Sequence, residues 1–164
     1  RRAYHGRLAY VAHGREELAR FACWPLLDIA GMTLYEPLGD PSSPGAAAAR
    51  QAELLRELRA FTRAQHKPLW IAELGVRSAA EAQYRPWESP EQRAAPVDTA
   101  MQAQVLARWL QLLDRPWIQG VLVWCWYSDP AAGGDQDSDF TVQHKPAEEV
   151  LRERWLVRES SARR

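Results

Sequence analysis

The chain has 164 residues, 46% of them hydrophobic, enough for one globular unit with a sizeable core and unlike a disordered composition. Lys+Arg and Asp+Glu both number 21, so the formal net charge is zero and no basic field exists to attract nucleic acid or an anionic membrane surface. Cys23 and Cys125 lie far apart without metal-ligand spacing, which argues against a zinc site or a disulfide framework and reads as two reduced core residues. No apolar run is long enough to span a bilayer, and the first residues lack a signal peptide's apolar stretch, so cellular location stays open.

Residues 8–13 (LAYVAH) read as a short strand, and 15–24 as a helix with Leu18, Phe21 and Ala22 on one face, stopped by Pro25. Asp28, just before a second strand at 29–35, reads as a structural cap or pair. DPSSPG at 40–45 is a turn-rich loop, and 46–65 is strongly helical, with Leu54, Leu55, Leu58 and Phe61 at helical spacing. PLWIAEL at 68–74 is apolar enough for a strand covered on both faces. A polar loop at 77–97 follows, with Trp87 and three prolines, a length that usually signals function. Asp98 suits the N-cap of a helix to about 114, striped by Met101, Val105, Trp109 and Leu112. IQGVLVWCW at 118–126 is the fourth strand, Gly133 and Gly134 sit in another polar loop, and Pro146 opens a last helix containing Val150, Leu151 and Trp155. A basic tail at 158–164 is expected to fray, leaving 1–157 as the domain.

Four strands alternating with four helices require parallel pairing and right-handed crossovers. Such an α/β chain is either a small doubly wound sheet or half of an eight-stranded barrel. The doubly wound form predicts a Gly-rich phosphate turn after an early strand, and none is present. The barrel form places chemistry at the C-terminal strand ends, which here carry His13, Tyr35, Glu73, Trp124 and Trp126. The half-barrel is the better reading, and because a complete barrel needs about 250 residues, roughly the first half is expected outside this chain.

Glu73 ends the apolar strand in LWIAELGVRS, and Gly75 then lets the backbone turn away. Retaining glycosidases use two carboxylates about 5–5.5 Å apart, one as nucleophile and one as acid and base. Glu73 suits one of those roles; its alternative is a structural ion pair with Arg77.

The runs FACWPLLDIAGMTLYEPL, KPLWIAELGVRS, RPWE, Asp98 before a helix, GVLVWCWYSDP and DFTVQHKPAEEVL follow one another in an order that resembles the C-terminal half of glycoside hydrolase family 113. That family comprises retaining endo-β-1,4-mannanases, within a clan of TIM-barrel glycosidases whose acid/base follows strand four and whose nucleophile follows strand seven. The resemblance implies a partial (β/α)8 TIM barrel, strands five to eight at 8–13, 29–35, 68–74 and 118–126, with Glu73 as the catalytic nucleophile. It further implies a hydrolase acting on an oligosaccharide or polysaccharide such as mannan, with no cofactor or metal.

Other positions carry over residue by residue. Trp124 matches the strand-eight aromatic that lines the subsite of cleavage, or is a core tryptophan; Trp126 joins it as a substrate contact. Tyr35 hydrogen-bonds the nucleophile or a sugar hydroxyl, or packs in the core. Trp87 matches the family's PW element and flanks the sugar cleft, or pins its loop. His13 contacts sugar, or satisfies a local hydrogen bond. Asp139 and Lys145 read as anchors of the last helix.

Glu36 and Val76 depart from the family pattern, and no residue matches the strand-four acid/base. The missing half would supply it, and because such a group is typically worth about 10²- to 10⁴-fold, this chain alone is expected to be inactive. An isolated half-barrel exposes two strand edges and a helix-free flank, so the missing N-terminal half or self-association is the expected protein partner, with poor solubility otherwise. Two other classes stay open: a non-catalytic carbohydrate-binding or scaffold protein that kept the cleft, and a doubly wound small-molecule binder, which helices on both sheet faces would favour.

Overall fold

A computed structural model describes residues 3–39, 43 and 46–162, with side chains to 156. Apart from Ser43, the loop expected at 40–45 lies outside the described residues, as do the side chains of the tail expected at 158–164. The elements are β1 (Ala9–Ala12), α1 (Gly14–Arg20), β2 (Ile29–Leu34), α2 (Ala46–Gln65), β3 (Leu69–Leu74), α3 (Thr99–Leu112), β4 (Ile118–Val123) and α4 (Pro146–Ala162).

The strands form one parallel sheet in the order β1-β2-β3-β4. Because spatial order follows chain order without reversal, the switch-point crevice of a doubly wound sheet is missing. Burial along the strands puts the helices on one face. In β1 the exposed Ala9 and Val11 alternate with the half-buried Tyr10 and buried Ala12. Val11 and Leu122 remain 44% and 50% exposed, whereas Leu69, Ile71 and Leu74 of β3 are buried with Leu54 and Leu58 of α2 and Leu106 and Trp109 of α3. β3 is therefore covered fully on its helix side and only partly on the other, where Trp70 is half-buried.

α2 occupies the expected residues, and Asp98 caps α3 by accepting the Met101 amide at 2.8 Å. Asp28 ties the start of β2 to the chain before β1, accepting the Leu8 amide at 2.7 Å. α1, expected to run to residue 24, ends at Arg20. The chain turns extended at Phe21 so that Trp24, in a short 3-10 turn with Pro25, can bury its ring and donate its indole N–H to the Leu18 carbonyl at 2.9 Å. Tertiary burial of one large aromatic thus overrides continued helical pattern. Cys125 is buried and Cys23 exposed; both are free, so only Cys125 is a core thiol.

Candidate active site

Strict alternation from Leu69 would put residue 73 on the same face as Leu69 and Ile71, toward the helices. The register prevents this. Met32 pairs with Ile71 but Thr33 with Glu73, and on the other side Val121 pairs with Ile71 but Val123 with Leu74. One extra residue, Ala72, bulges β3 against both neighbours and lets Leu74 take the core position. Glu73 is left at the C-terminal end of the strand, half-buried. Bulges re-aim side chains in this way and are frequent beside active sites.

Tyr35, the residue after β2, donates its phenolic O–H to Glu73 Oε1. Burial first, and then the Glu73 carboxylate, push the Tyr35 phenol far above its ordinary value, so it remains a donor. Phe140 packs edge-on against Tyr35, with ring centroids 6.3 Å apart. The alternative pairing of Glu73 with Arg77 does not occur: Arg77 is directed into the loops, where its partners are backbone carbonyls and one hydroxyl.

β4 ends at Val123, three residues before the expected limit, because Trp124 donates its amide to the Leu74 carbonyl at 2.8 Å and the chain then leaves the ladder. Gly75 makes that approach possible: a Cβ there would lie 2.8 Å from the Trp124 carbonyl oxygen and 3.3 Å from Trp124 Cβ. Beyond this point Trp124 and Trp126 are 49% and 62% exposed, with Tyr127 exposed beside them. Trp124 is thus no core tryptophan. These exposed aromatics follow the end of β4, the strand beside the one that carries Glu73, and such a ledge suits stacking on the apolar face of a sugar ring.

The other expected residues lie further out. His13 is exposed at the end of β1, its backbone amide donating to Glu17 Oε2 at 2.6 Å. Trp87 is exposed on the loop between β3 and α3 and does not pin it; Arg77 and the Arg93–Glu88 pair at 2.6 Å do. Glu36 pairs with Arg15 at 3.3 Å, and Val76 is buried, its carbonyl accepting from Gln102 Nε2 at 3.0 Å.

Residues that the sequence reading passed over build the frame. Gln102, fully buried on α3, also bonds the Phe140 carbonyl at 3.0 Å and so supports the ring against Tyr35. Gln143 accepts the Tyr127 amide at 2.6 Å and donates to the Asp129 carbonyl at 3.0 Å. Lys145, expected to anchor the last helix, instead joins two loops: its buried ammonium reaches Ser78 Oγ at 2.8 Å, the Asp139 carbonyl at 2.9 Å and Asp137 Oδ2 at 3.1 Å. Asp139 Oδ2 in turn accepts the Tyr127 hydroxyl at 2.8 Å.

A cavity of about 530 Å³ lies elsewhere, lined by Arg15, Glu36, Arg50, Glu53, Tyr84 and Arg85 among others, and does not include Glu73. Among the described residues no cluster of metal-ligating side chains occurs, and no helix is long and apolar enough to cross a membrane.

The sequence matches the model of Glycoside Hydrolase Family 113 over residues 1–145. No curated protein sequence matches. Among solved structures, a family 113 β-mannanase from Alicyclobacillus acidocaldarius in complex with ManMIm superposes with a TM-score of 0.75 at 24% identity, over 94% of this chain and 46% of that one. A second family 113 β-1,4-mannanase gives 0.78 at 21% identity, over 94% and 47%. A β-D-glucuronidase of Dictyoglomus thermophilum gives 0.53 at 15%, over 88% and 26%. At these identities the likeness speaks to the fold, and the chain spans about half the length of the mannanases it matches. Matched to the family model over most of its length, and folded like the solved mannanases where it overlaps them, the chain belongs to glycoside hydrolase family 113.

Proposed function

We propose that residues 1–157 are the C-terminal half of a TIM-barrel glycosidase domain, with β1 to β4 as barrel strands five to eight, and that the whole protein is a retaining glycoside hydrolase acting on a β-linked polysaccharide such as mannan. The observation that carries this reading is Glu73, turned off the core by the β3 bulge, bonded by Tyr35 and set beside the Trp124–Trp126 ledge.

In this mechanism Glu73 is the nucleophile. Its carboxylate attacks the anomeric carbon, the bond to the leaving oxygen breaks, and an acid on a preceding segment gives that oxygen a proton. The same group, now a base, then takes a proton from water as the water attacks the anomeric carbon and Glu73 leaves. Tyr35 holds Oε1, so the carboxylate is oriented before substrate arrives and its returning charge is stabilised when it departs. Trp124 and Trp126 stack on sugar, and Trp87 and His13 contribute at the rim.

Glu73→Ala in the full-length protein is expected to lower mannan hydrolysis by more than about 10³-fold. Azide added to that variant should restore turnover with a glycosyl azide of inverted configuration, since the small anion replaces the lost carboxylate. Undiminished hydrolysis would falsify the assignment. The exposed ledge also supports a second reading, carbohydrate binding without turnover; mannan binding that survives with no hydrolysis by the wild type selects it. Taken alone, this chain leaves β1 and β4 as edge strands, and we propose that the preceding half-barrel, or failing it a second copy, covers them.

A further inference from the structure

Arg77 is 1% exposed; the oxygens it bonds are neutral, three backbone carbonyls and one hydroxyl, while the carboxylates of Asp139, Glu88 and Glu91 lie near enough to favour its charge. Burying a cation is costly, and an apolar side chain of similar size would often be neutral or stabilising. Those carboxylates offset part of that cost, and the two edges of the guanidinium add a structural role. Nε and Nη2 bond Ser138, carbonyl at 3.1 Å and hydroxyl at 3.3 Å, on the loop between β4 and α4. Nη1 bonds the Ser89 and Arg93 carbonyls at 3.0 and 2.6 Å, on the loop between β3 and α3. One planar fork thus grips both long loops through four bonds at fixed angles, a geometry that the single ammonium of a lysine at this position does not reproduce.

Those loops bear the aromatics of the site. Ser89 lies two residues after Trp87, and Ser138 adjoins Asp139, which holds the Tyr127 hydroxyl next to Trp126. Lys145 grips the same segment from its far side through Asp137 and the Asp139 carbonyl. We propose that Arg77 is a positioning residue that sets the width of the sugar cleft by holding Trp87 at a fixed separation from the Trp124, Trp126 and Tyr127 ledge. The proposal rests on the reading of this rim as a sugar cleft. Arg77 itself touches neither substrate nor the reacting atoms.

The test uses the full-length protein with Arg77→Lys and Ser138→Ala, the second removing one bond of four and leaving the fold intact. Arg77→Lys should raise KM for mannan about tenfold with kcat within about threefold, and Ser138→Ala should raise KM by a smaller factor at the same kcat. A loss of folded enzyme alone would lower kcat at constant KM; that result, or an unchanged KM in both variants, overturns the proposal. Amide hydrogen exchange supplies a reading independent of activity. In Arg77→Lys, protection should fall together in 85–93 and 129–138 while β2 and β3 keep theirs. Loss in one loop alone, or uniform loss through the sheet, also overturns it. Wild-type protein inactive on mannan sinks the proposed function instead, and exchange then decides the clamp.

Discussion

At the β3–β4 end of the sheet two buried cations, Arg77 and Lys145, each bond several oxygens of the loops around them. At the β1–β2 end Arg15, with its side chain 44% exposed, reaches Glu36 at 3.3 Å and Glu57 at 3.4 Å. Exposed pairs are worth about 0–1 kcal/mol, whereas removing one partner from a buried set costs about 3–5 kcal/mol. The strand ends nearest Glu73 are therefore braced by buried cations, whereas the ion pairs of Arg15 farther away tie only lightly and leave the end of β1 to hydrogen bonds from Tyr10 and His13 to Glu17. Under the proposed mechanism, rigid support lies where an oxygen must be aimed at a carbon, and looser support where a polymer only has to be met.

Tyr35 joins the two regions, since it follows β2 but bonds the carboxylate on β3. After Glu73 itself, it is expected to give the largest effect. Tyr35→Phe should lower kcat/KM about 10- to 100-fold, the equivalent of one hydrogen bond to a charged group. The same variant reads the coupling through pH. The folded phenol titrates above its unfolded value, so its contribution to stability is complete below about pH 10 and is lost as pH rises beyond it. Urea midpoints between pH 9 and 11 should fall less steeply in Tyr35→Phe than in the wild type; parallel slopes would mean the bond does not couple to folding.

Gly75→Ala tests whether the β3 and β4 ends are held as closely as their geometry implies. The new Cβ meets the Trp124 carbonyl oxygen at 2.8 Å, so backbone must shift, at about 1–3 kcal/mol, with a loss of mannan affinity as the ledge moves. Unchanged thermal stability and KM would break the comparison at its rigid side. Arg15→Ala should do least, within about 1 kcal/mol by denaturant titration and with kcat/KM unaltered. A larger loss would break it at the loose side.

Local rules were sufficient for much of the fold. α2 could be placed to the residue because its apolar spacing is uninterrupted, and α3 begins where Asp98 can accept an amide. Elements controlled by distant partners were less legible. α1 stops early because Trp24 is buried against residues of other elements, including Phe61 on α2, with ring centroids 5.4 Å apart. Glu73 stood out as a carboxylate closing an apolar strand, but the orientation that makes it useful depends on a register shift against two neighbouring strands. Arg77 read as a possible partner of Glu73 because the two are close in sequence; its bond to Ser138 spans 61 residues and has no local signature.

The extra residue in β3 bears on how such a chain can diverge. A one-codon deletion at Ala72 would leave plain alternation with Glu73 and Leu74 on their present faces, but if the pairing regularised so that Ala72 stood opposite Thr33, Glu73 would turn toward the helices and Leu74 to the open side. The carboxylate would still be present in the gene and would still align with its relatives, while Tyr35 had lost its acceptor. For descendants of this sequence, inheriting the glutamate and inheriting its orientation are separate events, and the pairing of the strand with its neighbours decides between them.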